Sequence, residues 1–202
     1  MSNIFKLHQN KPTRLGHKKA KKNKNTQLEE KGQLNLFQKP VAKIFSLEKK
    51  LSPFEQAFIS DEQGSSKARE YYLTAIDQND HKADAYCNLG IIEASDGHYV
   101  KAIDHFSHAL TIEPRHYEAH FNLANLYFDN DDLKLARLHY ETAKEIEPND
   151  PNIFFNLGLV QAMQEDIKGA IESLSIYSKM VGEKEALKAN EIVNTLELTK
   201  KA

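Results

Sequence analysis

The sequence contains one cysteine, no tryptophan, six prolines and eight glycines among its 202 residues. A single cysteine, Cys87, excludes an internal disulfide framework and is typical of a reducing compartment. Every apolar run is far shorter than the ~18 residues that span a bilayer. The amino terminus also lacks the apolar stretch of a secretory signal. These absences predict a cytoplasmic protein without a membrane anchor.

Motifs for catalysis, metals and cofactors are also missing. There is no P-loop, no glycine-rich dinucleotide fingerprint, no His-Glu-x-x-His pattern and no paired-cysteine spacing. The nine histidines are scattered: His105 and His108 have no carboxylate or cysteine placed to complete a metal site, and His116, four residues from His120, is expected to lie before the helix starts. Cys87 has no neighbouring base in the sequence that would activate a thiolate. We therefore expect a protein that is not an enzyme and that needs no metal or cofactor.

Acidic residues are absent before Glu29, and this absence divides the chain into two parts. Residues 1–50 hold 13 of the 27 basic and 3 of the 29 acidic side chains, which gives +10 there and −12 in the remainder. A polar, strongly basic segment with few apolar residues is typical of disorder. The sequence predicts a basic, largely disordered arm and linker at residues 1–50, followed by a folded domain at residues 51–202.

Within that domain, three segments repeat without gaps at a spacing of 34 residues. Each segment has an Asn-Leu pair, a small residue, a second small residue twelve positions later and a bulky side chain four positions further on. Apolar residues at helical spacing predict two amphipathic helices per segment, and small residues allow those helices to cross closely. The matching positions are Asn88, Gly90, Ala102 and Phe106; Asn122, Ala124, Ala136 and Tyr140; and Asn156, Gly158, Ala170 and Leu174.

This register, with Pro114 and Pro148 ending two units, resembles the tetratricopeptide repeat family. The resemblance implies an all-α fold: a right-handed solenoid of about four helical hairpins with a C-terminal capping helix, preceded by the disordered basic arm. A degenerate first unit is recognised by Tyr72, which stands 34 residues before Phe106. The expected boundaries are 51–82 for that unit, 83–116, 117–150 and 151–182 for the intact repeats, and 183–200 for the capping helix.

The resemblance also implies a concave groove, lined by the first helix of each repeat, that holds a partner protein or peptide. Asn88, Asn122 and Asn156 occupy one position of the repeat and form what we call the asparagine row. The row has two interpretations: a ladder that binds a peptide main chain, or a set of structural hydrogen bonds. Acidic side chains without Lys or Arg at these positions favour a basic or apolar partner over an acidic one. The implied groove residues are Asp84, Asn88, Ile91, Glu118, Phe121, Asn122, Asn125, Asp129, Asn152, Phe155, Asn156 and Leu159.

The basic arm has several interpretations. Residues 6–24 carry no aromatic ring to stack on bases after Phe5, so any nucleic-acid contact there is electrostatic and weak in sequence preference. The same residues fit a nuclear localisation signal, a solubilising tail or an arm attracted to the protein's own acidic solenoid.

A short apolar motif follows the arm at residues 33–37. Gln33, Leu34, Leu36 and Phe37 resemble the peptide by which bacterial replication and repair proteins bind the sliding clamp. The alternative is a strap, in which these side chains pack with residues 41–47 along the first hairpin. The sequence as a whole predicts a non-catalytic adaptor or scaffold without a small-molecule substrate. The alternative function is a nucleic-acid-associated factor tethered by the arm or by this motif.

Overall fold

The computed structural model describes residues 51–201, and the predictions made for the arm and for residues 33–37 lie outside them. Over this range the chain is helical, with no strand. None of these helices combines the length and apolar character needed to cross a bilayer. The helices are α1 (Pro53–Glu62), α2 (Lys67–Asp77), α3 (Lys82–Ser95), α4 (Tyr99–Ile112), α5 (Tyr117–Asp129), α6 (Leu133–Ile146), α7 (Pro151–Met163), α8 (Ile167–Met180) and α9 (Glu183–Lys201).

The helices form successive hairpins, α1–α2, α3–α4, α5–α6 and α7–α8, and each hairpin packs on the next through its neighbouring helices. Helix α9 packs on α8 at the end of the stack. The predicted all-α solenoid of helical hairpins is therefore confirmed. A hairpin buries only part of its apolar surface alone, so stacking completes the core.

Side chains at the helix starts explain where several helices begin. Ser52 and Glu55 form a capping box, in which each side chain accepts a hydrogen bond from the other residue's backbone N–H. Asp132 and Asp166 accept from backbone N–H groups in the first turns of α6 and α8 at 3.1 and 3.0 Å. His116 does the same for α5 through Nδ1 (3.2 Å), which places this histidine before the helix, as the sequence predicts.

The turn inside each intact hairpin contains one residue in the left-handed region. Gly97, Asp131 and Glu165 have φ values of 80°, 62° and 63° and lie at equivalent positions of the repeat. These residues lie just after the end of the first helix of each hairpin. Only Gly97 adopts this conformation without steric strain from a Cβ atom.

Small residues allow the two helices of a hairpin to cross closely. A Cβ atom built on Gly90 would lie 2.6 Å from Cε1 of Phe106, and one on Gly158 would lie 2.7 Å from Cγ of Leu174. These distances are well inside van der Waals contact, so the helices would have to separate. The bulky side chains of α4 and α8 thus occupy the space that the glycines leave.

The buried side chains form three clusters along the stack: one across α1–α3, one across α3–α5 and one from α5 to α9. In the capping helix the buried face consists of Ala186, Ala189, Ile192 and Leu196. The outer side of this helix also carries apolar side chains, since Leu187 and Leu198 are 63% and 69% exposed.

Candidate peptide-binding face

The predicted groove residues lie on one side of α3, α5 and α7, which we call the groove face. Neighbouring helices contact each other there: Asn156 on α7 donates to Asn125 on α5 (3.3 Å), and Asp84 on α3 meets His116 at the start of α5 (3.2 Å). The structure therefore brings residues from three repeats to one surface.

The groove face contains a buried layer and an accessible layer. Phe121, Asn122, Asn125, Phe155, Asn156, Leu159 and Asn88 are all buried, and in this conformation they contribute to packing. The side chains of Asp84, Ile91, Glu118 and Asn152 are partly accessible, and Asp129 is exposed. A ligand on this face would meet mainly carboxylates, an amide and one aliphatic side chain.

Two of the row's asparagines bond to tyrosines or to other asparagines across the hairpin junctions. Asn88 Nδ2 donates to the hydroxyl of Tyr72 on α2 (3.0 Å), and that hydroxyl donates to Asp61 Oδ2 (3.2 Å). At the α6–α7 junction, the hydroxyl of Tyr140 and Asn156 Nδ2 both donate to Asn125 Oδ1, at 2.5 and 3.3 Å. The Asn88–Tyr72 bond joins the second hairpin to the first, and the Asn156–Asn125 bond joins the fourth to the third, while the Tyr140–Asn125 bond lies within the third hairpin.

The junction between α4 and α5 differs because Phe106 occupies the position of the two tyrosines. Asn122 therefore has no hydroxyl to meet, and its Nδ2 donates to the backbone oxygen of Glu118 in its own helix (2.8 Å). A cavity of about 20 Å³ lies at this junction, with Phe106, Asn122 and Asn125 among its lining residues. Whether the asparagine row also contacts a ligand stays a prediction.

Asn88 carries the one buried side-chain polar atom within residues 51–201 that has no hydrogen-bond partner, its oxygen Oδ1. Leaving a buried acceptor unpaired costs about 1–3 kcal/mol. Asn88 lies one helical turn after Asp84 and three residues before Ile91, so all three belong to the same side of α3. This unpaired acceptor belongs to the buried layer of the groove face and is shielded from solvent.

Burial keeps the junction tyrosines protonated. The pKa of Tyr72 is raised well above its usual value by burial first and by the negative charge of Asp61 second. Burial also raises the pKa of Tyr140. Both hydroxyls therefore stay hydrogen-bond donors over the physiological pH range.

Around α5, hydrogen bonds of histidine side chains take the place of the tyrosine hydroxyl bonds. His120 Nε2 donates to the backbone oxygen of Pro114 (3.1 Å), so its Nδ1 is the acceptor for Nδ1–H of His139 on α6 (2.9 Å). Burial lowers the pKa of His120, and burial with the neighbouring His120 lowers that of His139 to about 4. Both rings are neutral at pH 7.

No set of three or more His, Cys, Asp or Glu side chains within residues 51–201 is arranged to hold a metal ion. His105 and His108, which the sequence presents as a pair, both contact the ring of Tyr86, at centroid distances of 6.0 and 5.1 Å. Cys87 is completely buried. Cys87 therefore packs in the core, and the two histidine rings pack against Tyr86.

The sequence interpretation missed a charged network beside the groove face. Glu93 is buried and accepts from Arg69 Nε (3.0 Å) and from His98 Nδ1 (2.8 Å). Burial alone raises the pKa of Glu93, but the hydrogen bond from His98 and the charge of Arg69 outweigh it and hold the pKa below its usual value. Two repeats later, Arg137 contacts Asp166 (2.9 Å) and Gln164 (3.2 Å), and Gln164 stands at the position of Asp96. Arg69 and Arg137 stand two repeats apart at the same position, and this recurrence could have indicated the network from the sequence.

A cleft of about 390 Å³ adjoins the groove face near the α1–α2 turn. Its lining includes Asp61, Ile91, Ser95 and Asp96, and also Arg69, whose guanidinium already binds Glu93 and Asp96. The cleft extends the accessible layer beyond Ile91 with further acidic groups.

Stacked helical hairpins in a constant register define an all-helical repeat solenoid. Tetratricopeptide repeat profiles match residues 61–115 and 93–157. Residues 61–157 therefore match the tetratricopeptide repeat family, which confirms the resemblance that the sequence predicts. No curated protein matches the sequence.

Solved structures with this fold include two of MamA and one tetratricopeptide domain with a peptide. The chain is similar to MamA 41-end from Desulfovibrio magneticus RS-1, with a TM-score of 0.62 and 20% identity over 72% of this chain and 82% of that one. The MamA RS-1 ArsTM double mutant gives a TM-score of 0.63, with the same identity and coverage. The first TPR of Spaghetti (RPAP3) bound to the HSP90 peptide SRMEEVD gives 0.55, at 16% identity over 60% of this chain and 95% of that one. These identities show a shared fold and no more.

Proposed function

We propose that this protein is a non-catalytic adaptor that binds a partner protein or peptide on the groove face, and that the bound segment is basic or apolar. The observation that carries the proposal is the composition of the accessible layer. Asp84, Glu118 and Asp129 supply negative charge, and the only Lys or Arg on α1, α3, α5 or α7 is Lys82, at the first residue of α3. Charge complementarity of this kind sets specificity more than affinity.

An acidic ligand fits this face poorly. The first TPR of Spaghetti binds SRMEEVD, a peptide with three carboxylate side chains. Here such a peptide would approach the carboxylates of Glu118 and Asp129, and like-charge juxtaposition disfavours binding. A lysine or arginine side chain would instead meet these carboxylates, with Ile91 offering apolar contact to its stem.

The proposal is tested with defined peptides and the full chain. Fluorescence anisotropy compares a lysine-containing decapeptide with SRMEEVD, and we expect binding of the first alone. The variant Asp84→Asn/Glu118→Gln/Asp129→Asn should weaken that binding about tenfold or more, since each lost charge pair contributes ~0.5–1 kcal/mol at a partly exposed site.

A matched control changes the same net charge on second helices. Asp104→Asn/Glu145→Gln/Glu172→Gln alters exposed carboxylates of α4, α6 and α8. Equal losses in the two triple variants would reduce the effect to general electrostatics and refute a groove site. Because Asp84 contacts His116, thermal midpoints of all variants are measured alongside.

Association with nucleic acid is the second candidate function, and the charge asymmetry of the chain favours it. A patch that neutralises several phosphates binds with a steep dependence on salt concentration. Changing Lys18, Lys19, Lys21, Lys22 and Lys24 to Gln in the full chain should abolish binding to a single-stranded oligonucleotide at low salt. Failure of the wild type to bind under those conditions would refute this function.

The motif at residues 33–37 belongs to the same candidate. Leu36→Ala/Phe37→Ala separates the two interpretations given above. A clamp-type address predicts lost binding to a purified bacterial sliding clamp with an unchanged thermal midpoint. A strap predicts a lower midpoint without loss of any clamp contact.

A further inference from the structure

Two of the three asparagines in the asparagine row follow a tyrosine at a fixed spacing. Tyr72 and Tyr140 each stand 16 residues before an asparagine of the row, and the hydroxyl of each forms a buried hydrogen bond at its junction. The remaining asparagine, Asn122, stands 16 residues after Phe106, which is completely buried and has no hydroxyl. The α4–α5 junction therefore has one polar atom fewer than the other two junctions.

The cavity at the α4–α5 junction has the size of one water molecule. Its volume is about 20 Å³, and a site needs roughly 10–15 Å³ on this measure to admit one water. A bound water also needs polar partners, because purely apolar cavities stay dry. The polar residues of the lining are Ser95, Asn122 and Asn125, and the apolar ones are Ile91, Ala94, Phe106 and Leu126. The cavity therefore has the size and the polarity that a single bound water requires.

Asn122 has hydrogen-bonding groups that the described residues leave unused. Its side chain makes one hydrogen bond within residues 51–201, from Nδ2 to the backbone oxygen of Glu118, although the residue is only 5% exposed. Its Oδ1 is reached by solvent, because the one unpartnered side-chain atom of this range that is sealed from solvent is Asn88 Oδ1. An amide oxygen accepts two hydrogen bonds, and leaving it unmet in a largely buried place is unfavourable. A small donor beside Asn122 would remove that penalty.

Ser95 supplies a second acceptor on the opposite side of the junction, at the end of α3. Its hydroxyl donates to the backbone oxygen of Ile91 (2.9 Å), which leaves the lone pairs of Oγ for an incoming donor. Ser95 is exposed, Ile91 is partly accessible, and both residues also line the cleft of about 390 Å³. Solvent in this cleft therefore has a route into the cavity.

We propose that the α4–α5 junction binds one water molecule, which donates one hydrogen to Asn122 Oδ1 and the other to Ser95 Oγ. This water takes the place of the hydroxyl that Tyr72 and Tyr140 supply at the other junctions, and it joins α3 of the second hairpin to α5 of the third. A bridging water is enthalpically almost as favourable as a direct hydrogen bond. The site exists in the free protein, so the inference goes beyond the adaptor function and does not depend on it.

The first test compares crystal structures of the wild type and of Phe106→Tyr, at a resolution that shows ordered waters. In the wild type we expect density for one water at about 2.7–3.2 Å from both Asn122 Oδ1 and Ser95 Oγ. In the variant the tyrosine hydroxyl should occupy that place, and the water should be absent. Wild-type density without a water at this place, or a Phe106 ring that fills the cavity, would overturn the proposal.

The second test observes the water in solution. Cross-relaxation between water and side-chain amide protons is measured by NMR on the ¹⁵N-labelled full chain. We expect a strong water cross-peak to the Asn122 amide group and a much weaker one to that of Asn156. Asn156 is the internal control, because it occupies the same repeat position but donates to Asn125 Oδ1. Cross-peaks of equal intensity at the two amides would refute a water site specific to this junction.

The third test measures what the bridge contributes to stability. Ser95→Ala removes the acceptor on α3, and Ser107→Ala is the matched control, because Ser107 is also exposed and also donates to the backbone oxygen four residues earlier. We expect Ser95→Ala to lower the thermal midpoint by a few degrees more than the control. In the Phe106→Tyr background this difference should disappear, since the hydroxyl displaces the water. A difference of the same size in both backgrounds would contradict a water bridge.

Discussion

The junction between α4 and α5 and the junctions at α2–α3 and α6–α7 occupy equivalent positions of the repeat but use different chemistry. In the two outer junctions a buried tyrosine hydroxyl bonds to asparagine side chains. In the middle junction Phe106 replaces the tyrosine, and histidines provide the polar contacts: His120 bonds to the backbone oxygen of Pro114 and His116 contacts Asp84. His120 also contacts His139 on α6, within its own hairpin. The outer junctions therefore rely on tyrosine hydroxyls and asparagine amides, whereas the middle junction relies on imidazole rings.

This difference shows that a repeat register sets where a contact forms and leaves its chemistry free to vary. In a linear stack the total stability is a sum of hairpin and junction contributions. A change at one junction therefore reports on that junction, and the predictions below compare the tyrosine and histidine types.

Removal of a shared acceptor should have the largest effect. Asn125→Ala leaves the Tyr140 hydroxyl and the Asn156 amide without their buried acceptor, and we expect a loss of ~2–4 kcal/mol in the free energy of unfolding. Urea denaturation followed by circular dichroism measures it. The control Asn122→Ala removes only a bond to its own helix and should lose less than ~1 kcal/mol. Similar losses in both variants would contradict the distinction between junctions.

Displacement of the Phe106 ring should have the next largest effect. Gly90→Ala places a methyl group against this ring, and we expect a loss of ~1–2 kcal/mol after the gain in helix propensity is subtracted. The reverse change at the equivalent position, Ala124→Gly, should also destabilise, by about 1 kcal/mol, through propensity alone. A gain in stability for Gly90→Ala would show that the ring moves aside freely.

Acid should weaken the contact between His120 on α5 and His139 on α6, which adjoins the middle junction. The pKa of His139 is about 4 in the folded chain against ~6.5 when unfolded, so below pH 6.5 the unfolded state binds more protons and stability falls until about pH 4. We expect the thermal midpoint of wild type to fall by a few degrees between pH 7 and pH 5. His139→Phe keeps a ring against Tyr127 and should depend less on pH. Parallel pH profiles would contradict this assignment.

Conversion of the middle junction to the tyrosine type should have the smallest effect. Phe106→Tyr adds a hydroxyl beside Asn122, where a cavity of about 20 Å³ offers space. We expect a gain of about 0.5 kcal/mol, the net value of one added hydrogen bond. Thermal unfolding with Phe106→Leu as the control detects it. A loss greater than that of the leucine variant would mean that the cavity does not accept the hydroxyl.

Much of the fold could be predicted from spacing alone. The Asn-Leu pairs recur at one position of the repeat, the small residues Gly90 and Gly158 at another, and the turn residue Gly97 marks a third. Periodic packing requires residues of similar size at each of these positions. The exposure of Leu187 and Leu198 could not be predicted, because α9 has no following hairpin to define its outer side in the described structure.

The sequence predicted where the groove face lies, but not which of its side chains are buried and which are accessible. Side-chain spacing places Phe121 and Asn125 on the correct side of α5, yet both are buried, because the depth of a side chain depends on how closely the helices approach. A signal for the tyrosine junctions was present: Tyr72 and Tyr140 each stand 16 residues before an asparagine of the row. That spacing gains meaning only once the register of adjacent hairpins is known.

The hairpin turns have a consequence for protein engineering. Asp131 and Glu165 hold a left-handed backbone that costs a residue with a Cβ atom about 1–2 kcal/mol, while Gly97 holds it freely. Glycine at both positions would offset much of that strain, less the larger entropy that glycine has in the unfolded chain. A scaffold with these two substitutions should have a higher free energy of unfolding. It would therefore tolerate destabilising changes among its ligand-contacting side chains.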